Sequence, residues 1–179
     1  PIHTGGGGFA VRALLDFFGE DIRPGDIFVS NDVYAGGGNH LPDWTVFAPV
    51  FAGNNPVAFT CIRSHQFDIG GGAAGTYNPE AKEIFHEGLR IPPLKLEDRG
   101  VPRADVLELL KINGRRPDIL AGDLGAMVGS VKKGLGWVED LLKEHGWDRL
   151  LTYCTALLDY GEHRMRLEVE NIPDGVYEA

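Results

Sequence analysis

Two apolar runs, Trp44 to Ala52 and Val57 to Ser64, flank the tetrapeptide Gly53-Asn54-Asn55-Pro56. No other feature restricts the fold as much. The β-branched and aromatic residues of both runs suit a pleated, buried surface, and the Gly/Asn/Pro cluster reverses the chain between them. The pattern predicts an antiparallel hairpin. With residues 53–56 as its turn, Trp44 faces His65 and Asp43 faces Gln66. The loop entering the first strand and the segment leaving the second then meet at one end of the hairpin.

That end gathers His40, Asp43, His65 and Asp68 from two chain segments, and a register error of one residue leaves them close. Two imidazoles and a carboxylate suit a borderline divalent ion such as zinc, manganese or iron. His40, Asp43 and His65 are the candidate ligands, and Asp68 or Asp32 could orient the imidazoles. The His-x-x-Asp spacing alone is weak evidence. It recurs at His65/Asp68 and at His145/Asp148, where it only joins two helices, and loop capping explains it equally well. The convergence of two segments carries the reading.

Glycine, at 25 of 179 residues, is roughly twice its usual share. It clusters at 5–8, 36–38 and 70–72, which suggests loops whose backbone approaches something closely. Gly5–Gly8 precedes a helix and could offer free amides to an anion. It lacks the Gly-Lys-Ser/Thr of a nucleotide loop and reads as a flexible turn. Gly70 to Gly75 matches dinucleotide-loop spacing, but Asn78-Pro79 interrupts before any long helix. His86-Glu87 is not a zinc-protease motif, because Arg90 stands where a second histidine is needed. Glu87 remains as a helix-end carboxylate near the site and a candidate general base, so the catalytic candidates are Asp68 and Glu87. Cys61 and Cys154 read as reduced core thiols, and Trp44, Phe47, Phe51 and Phe59 as core aromatics.

Along the chain, Phe9–Gly19 has helical spacing, residues 23–26 form a turn, and Ile27–Val29 is a short strand. A short helix is expected near Pro79–Glu87, followed by an extended segment at Arg90–Leu96. Helices follow at Ala104–Ile112, Pro117–Glu144 and Asp148–Glu162, the last capped by Asp148. Strands are expected at Arg166–Val169 and Val176–Ala179. The fold class is therefore α+β. Residues 1–102 form a glycine-rich strand region with the candidate metal site, 103–165 a helical segment, and 166–179 the start of a further strand region. A chain that starts at Pro1 and stops at Ala179 within such a strand reads as a fragment of a larger subunit.

The formal charge of −9 argues against nucleic acid as a partner. No apolar run has membrane-spanning length, and no basic-then-apolar signal segment opens the chain, so a cytoplasmic protein without a membrane partner is expected.

Several ordered blocks resemble one family. PGDIFVSNDVYAGGGNHLPDWTVFAPVF, RSHQFDIGGGAAGTYNP and EIFHEGLRIPPLKL, with the later NGRRPDILAGDLGAMVG and IPDGVYEA, are similar to the hydantoinase B / 5-oxoprolinase / acetone (acetophenone) carboxylase alpha-subunit family. The resemblance implies a multi-subunit, ATP-dependent enzyme. ATP and Mg would sit on a partner subunit of the hydantoinase A or carboxylase beta type, while this subunit carries the metal. Its substrates would be cyclic amides such as hydantoins and oxoproline, or ketones such as acetone and acetophenone. The family's manganese site, a His-x-x-Asp pair and a later His, matches His40, Asp43 and His65, so manganese or zinc is expected.

Two departures stand out. Many relatives carry His-His where this chain has His65-Gln66, and the family subunit is much longer. The leading expectation is ring-opening hydrolysis of a cyclic imide or lactam. The alternatives are an alpha-type subunit of a ketone carboxylase and a non-catalytic assembly module.

Overall fold

The computed structural model describes residues 3–36 and 38–177. A 3-10 turn at Thr4–Gly6 opens into helix α1 (Gly7–Phe18), which ends where the Gly19 N–H donates to the Leu15 carbonyl. Strand β1 (Ile27–Ser30) runs through the one-turn helix α2 (Val33–Gly36) into the hairpin of β2 (Asp43–Ala52) and β3 (Asn55–His65). Strands β4 (Leu94–Asp98) and β5 (Val101–Pro102) precede helices α3 (Ala104–Ile112), α4 (Pro117–His145) and α5 (Trp147–Glu170). The strands form one antiparallel sheet in the order β3-β2-β1-β4-β5. This is the α+β class that the patterning indicates.

The chain divides into two compact units, Pro1–Glu139 and Asp140–Ala179. In the first, alternate residues of β1 and β2 feed two separate cores. Ile27, Val29, Trp44, Val46 and Ala48 pack with Leu110 of α3 and with Leu120, Leu124, Met127 and Val131 of α4. Phe28 and Phe47 point the other way, against Ala10 and Leu14 of α1. Phe51 and Phe59 pack at the margin of that second cluster. A strand covered on both faces needs apolar residues at consecutive positions, which is why these segments lack a polar alternation. Trp44 is fully buried, so Trp44→Ala is expected to cost about 3–5 kcal/mol in equilibrium denaturation.

The hairpin register differs by one residue from the expected one. Asp43 pairs with His65 and Trp44 with Ser64. The turn is only two residues long, Gly53-Asn54, with Ala52 paired to Asn55 and a bulge between Val50 and Phe51. Gly53 has φ 62, as the first turn position of a type II′ hairpin requires. Pro56, expected in the turn, lies instead in β3. It is tolerated there because β3 is an edge strand and its missing N–H breaks no inner ladder.

Other expectations are corrected. The segment Pro79–Glu87 holds only a 3-10 turn at Ile84–His86. Side chains compete with helix formation there: Asn78 Oδ1 accepts from the Glu80 N–H and His86 Nδ1 from the Lys82 N–H. The short strand β5 had no sequence signal beyond two residues. Asp148 does not cap α5: Gly146 occupies the N-cap position, no side chain bonds there, and Asp148 lies in the first helical turn.

Residues 166–169 are helix rather than strand, because α5 continues to Glu170. The apolar alternation of Met165, Leu167 and Val169 mimics a strand, but the pairs Glu162–Arg166 and Arg164–Glu168 stabilise helix at i,i+4 spacing. Val176 and Tyr177 lie in no strand, and residues 178–179 lie outside the described residues. Helix α5 buries none of its residues.

Both cysteines are free and exposed rather than core. Cys61 sits on the edge strand, where partial desolvation of its thiol still pushes the pKa up. No helix among the described residues is long and apolar enough to cross a membrane.

Candidate metal centre

The entrance to β2 is a tight turn in which the Asp43 N–H approaches the His40 carbonyl and the Gln66 N–H donates to the Pro42 carbonyl. Leu41, between the two candidate ligands, is fully buried and anchors the turn. Asn31 ties this turn to the segment before β4. Its amide donates to the Leu41 and Leu89 carbonyls at 2.7 and 2.8 Å, and its oxygen accepts from the Ile91 N–H at 2.6 Å. His40 and Asp43, three residues apart, therefore face the same side. His65 joins them because it is the ladder partner of Asp43 and so lies on the same face of the sheet.

The result is a compact donor set. His40, Asp43 and His65 each offer one ligand atom, and all three atoms lie within 4.8 Å of one another. Asp43 Oδ2 is 2.9 Å from His40 Nε2 and 3.3 Å from His3 Nε2. The Asp43 side chain is 4% exposed, yet among the described residues its Oδ2 accepts no hydrogen bond. A buried carboxylate oxygen in that condition is costly, and a cation among the donors would offset the cost. Donor atoms bound to one ion at about 2.0–2.2 Å stand roughly 3 Å apart, which matches both separations. Two imidazoles and a carboxylate are a fit set for zinc, manganese or iron. The His40 and His65 rings lie 5.1 Å apart, and Tyr77 stacks on His65 at 5.8 Å. Thr76, immediately before Tyr77, has φ 65, a strained value for a β-branched residue in the loop that presents this ring.

Asp68, the other expected carboxylate, is engaged elsewhere. Its oxygens accept from the N–H groups of Gly70, Gly75 and Arg115 and pair with the Arg115 guanidinium at 3.2 Å. Burial pushes its pKa up, but these donors more than offset that effect and hold it below the ordinary value. Asp68 fixes the glycine-rich loop. Within that loop Gly71 has φ 79, and a Cβ there would meet the His86 carbonyl at 2.7 Å, so only glycine fits.

A depressed folded-state pKa stabilises the fold above the unfolded value of about 3.9 and loses that contribution as pH falls through the folded value. Asp68→Asn should therefore lower stability at pH 7 and flatten the acid limb of the stability curve below about pH 4, as measured by denaturation against pH.

Asp32 is likewise occupied, by the Arg90 guanidinium at 2.8 Å and the Tyr34 N–H at 3.0 Å. Burial raises its pKa, and the hydrogen bond from Arg90 leads the effects that bring it below the ordinary value. Arg90 also lies over the Tyr34 ring at 5.0 Å. Among the described residues, neither Asp32 nor Asp68 has an imidazole as a hydrogen-bond partner.

Glu87, by contrast, lines a cavity together with one of the three donors, His40. This cavity of about 330 Å³ between α2 and residues 81–87 is lined by Val33, Tyr34, Asn39, His40, Ile84 and Glu87, together with Lys82 and Glu83. Its volume is in the range of small-molecule sites. The sequence reading missed Asn31 and His3. A signal for His3 existed, since it adjoins the first glycine cluster as His40 adjoins the second and His65 precedes the third.

Comparisons with known proteins follow from the same residues. The profile of the hydantoinase B/oxoprolinase family matches residues 1–179. The chain is 40% identical to caprolactamase subunit beta of Pseudomonas jessenii over 99% of its length, covering 30% of that protein. It is 30% identical to 5-oxoprolinase 1 of Arabidopsis thaliana over 98% of its length, covering 15% of that protein. The acetophenone carboxylase delta subunit of Aromatoleum aromaticum is 30% identical over 93% of this chain and covered over 24% of its own length. The chain thus spans about a third or less of these relatives.

Among solved structures, the ATP-dependent caprolactamase of Pseudomonas jessenii superposes with a TM-score of 0.88 at 39% identity, over 98% of this chain and 30% of that one. Nucleotide-free acetone carboxylase shares the fold, with a TM-score of 0.71 at 20% identity over 82% of this chain and 20% of that one. On a profile match over its whole length, this chain belongs to the hydantoinase B/oxoprolinase family.

Proposed function

We propose that this chain is the metal-bearing part of a subunit of an ATP-dependent amidohydrolase that opens a lactam or cyclic imide. One observation supports the metal: His40, Asp43 and His65 converge around a buried, unbonded carboxylate oxygen. The lactam rests on the 40% identity to caprolactamase subunit beta, a relative named for a cyclic amide. The described chain carries no ATP-binding motif, so ATP and Mg belong on a partner subunit of the hydantoinase A type, which would phosphorylate the amide oxygen.

His40, Asp43 and His65 would hold the ion, which supplies Lewis acidity to a substrate oxygen or a water. The chain's own residues do the rest. Val33, Tyr34 and Ile84 offer an apolar wall to the methylenes of a ring. Asn39 and Lys82 offer hydrogen-bond donors to its polar edge. Glu87, on the same cavity, accepts the proton of the attacking water and returns it to the ring nitrogen as the carbon–nitrogen bond breaks, leaving an acyl phosphate that a second water hydrolyses to the carboxylate and inorganic phosphate. Asp32 holds the segment that carries Tyr34 to the cavity wall, and Asp68 holds the glycine-rich loop at residues 70–75.

Carboxylation of a ketone is the second reading, favoured by the 30% identity to an acetophenone carboxylase subunit. In that case the same donors would stabilise an enolate that attacks carbon dioxide. The test uses the full-length subunit assembled with its ATP-handling partner. ATP-dependent ring opening of a lactam or hydantoin supports the first reading, and bicarbonate-dependent consumption of a ketone replaces it with the second. Metal analysis of the same preparation, with both assays, separates both from a non-catalytic assembly module, which would turn over neither substrate and whose metal would be gone or purely structural.

A further inference from the structure

We infer that a second cavity, between the β4–β5 edge of the sheet and helices α3 and α4, binds a primary ammonium group carried on a short alkyl chain. The cavity has a volume of about 170 Å³ and shares no lining residue with the one that His40 and Glu87 line. Leu96, Leu107, Leu124 and Val128 give it apolar walls, and Glu97 is its carboxylate. An apolar cavity of about 150 Å³ accepts a molecule the size of benzene. The space therefore suits an alkyl chain of about four to five carbons.

A carboxylate reaches this apolar face through an irregularity in the sheet. Strict alternation along Leu94-Lys95-Leu96-Glu97 would put Glu97 beside Lys95, whose Nζ lies 5.9 Å from the Phe28 ring on the α1 side. Instead Phe28 pairs with Lys95 and Ile27 with Glu97, so β4 carries one extra residue, Leu96. Such a bulge re-aims a side chain. Glu97 shares the face of its ladder partner Ile27, which packs in the core with Leu124 and Val131 of α4.

There Glu97 is 7% exposed. Its Oε1 accepts from Lys132 Nζ at 2.8 Å, while its Oε2 is buried and accepts no hydrogen bond among the described residues. That is a costly condition for a carboxylate oxygen. Rotation about the terminal side-chain bond is soft, so either oxygen can turn to the cavity. Arg103, the cation on the same cavity, is occupied by a two-point pair with Asp105 at 2.9 and 2.7 Å. The unmet demand is thus for one charge-assisted donor. An ammonium supplies it from a compact head, whereas a guanidinium fork is matched to two free oxygens. Two sources carry this chemistry: a free aliphatic amine, and a lysine side chain of a neighbouring protein.

The test titrates n-pentylammonium into the full-length subunit, alone and assembled with its partner, read by saturation-transfer NMR and calorimetry. Pentanoate, with a similar tail and the opposite charge, is the control and should not bind. Glu97→Gln is expected to weaken pentylammonium binding by about tenfold or more. Gly125→Leu is expected to abolish it, because Gly125 lines the cavity and a Cβ there meets nothing within 4 Å. Leucine also favours helix over glycine, so this variant should melt no lower than wild type. It decides alone if Glu97→Gln does not fold. Binding that survives assembly assigns the site to a free amine, and binding lost on assembly assigns it to a lysine of the partner. Absence of binding, or affinity retained by Gly125→Leu or by folded Glu97→Gln, overturns the inference.

Discussion

Asp43→Asn in the full-length, assembled enzyme is expected to lower metal content and turnover together. The substitution keeps the size of a side chain that is 4% exposed, but it replaces an anionic candidate ligand by a neutral amide. If Asp43 binds the ion directly, as proposed, the loss should exceed the roughly 10–100-fold penalty that changes one shell further out produce in affinity or activity. Folding should suffer little. The hairpin is held by its two-residue turn and by the residues that β2 sends into both cores, including Trp44 and Phe47. Metal analysis and ring-opening assays on one preparation check the coupling. Unchanged metal content with unchanged turnover would make Asp43 a turn-capping residue and remove the centre.

Glu87→Gln separates proton transfer from ion binding. Glu87 lines the same cavity as His40 but is not among the converging donors. Turnover is expected to fall by about 10²–10⁴-fold, the usual contribution of a positioned general base, with metal content at the wild-type level. A parallel loss of metal would instead make Glu87 a ligand. Wild-type turnover would transfer the proton role to another group on the cavity, for which Glu83 is a lining carboxylate of the same chemistry.

These two variants also mark the limits of what could be read without coordinates. His40 and Asp43 were legible because they lie three residues apart in a turn closed by glycines on one side and a strand on the other. His65 was legible because the turn signal fixed the hairpin to within one residue, and neighbouring rungs remain close. Asp68 was read as a partner of the site because its spacing from His65 repeats the His-x-x-Asp pattern. The donors that actually claim it include Arg115, 47 residues away. No local pattern announces that pairing. The alternation at Met165, Leu167 and Val169 misled for the opposite reason: a local period of two was present, while the i,i+4 ion pairs decided for helix.

The sequence by itself determined the hairpin, the α+β class, the positions of α1, α3 and most of α4, and the family. Those depend on periodicity, turn chemistry and ordered motifs, all encoded within a few residues of one another. Tertiary structure decided the pairing of Asp43 with His65, the tie that Asn31 makes across the site, the capture of Asp68 by Arg115, and the approach of His3 to Asp43. Each joins segments far apart in the chain. The first follows from the length of the hairpin turn and its bulge, and the others from packing around the sheet, because side-chain volume and burial, rather than local propensity, set which distant residues meet.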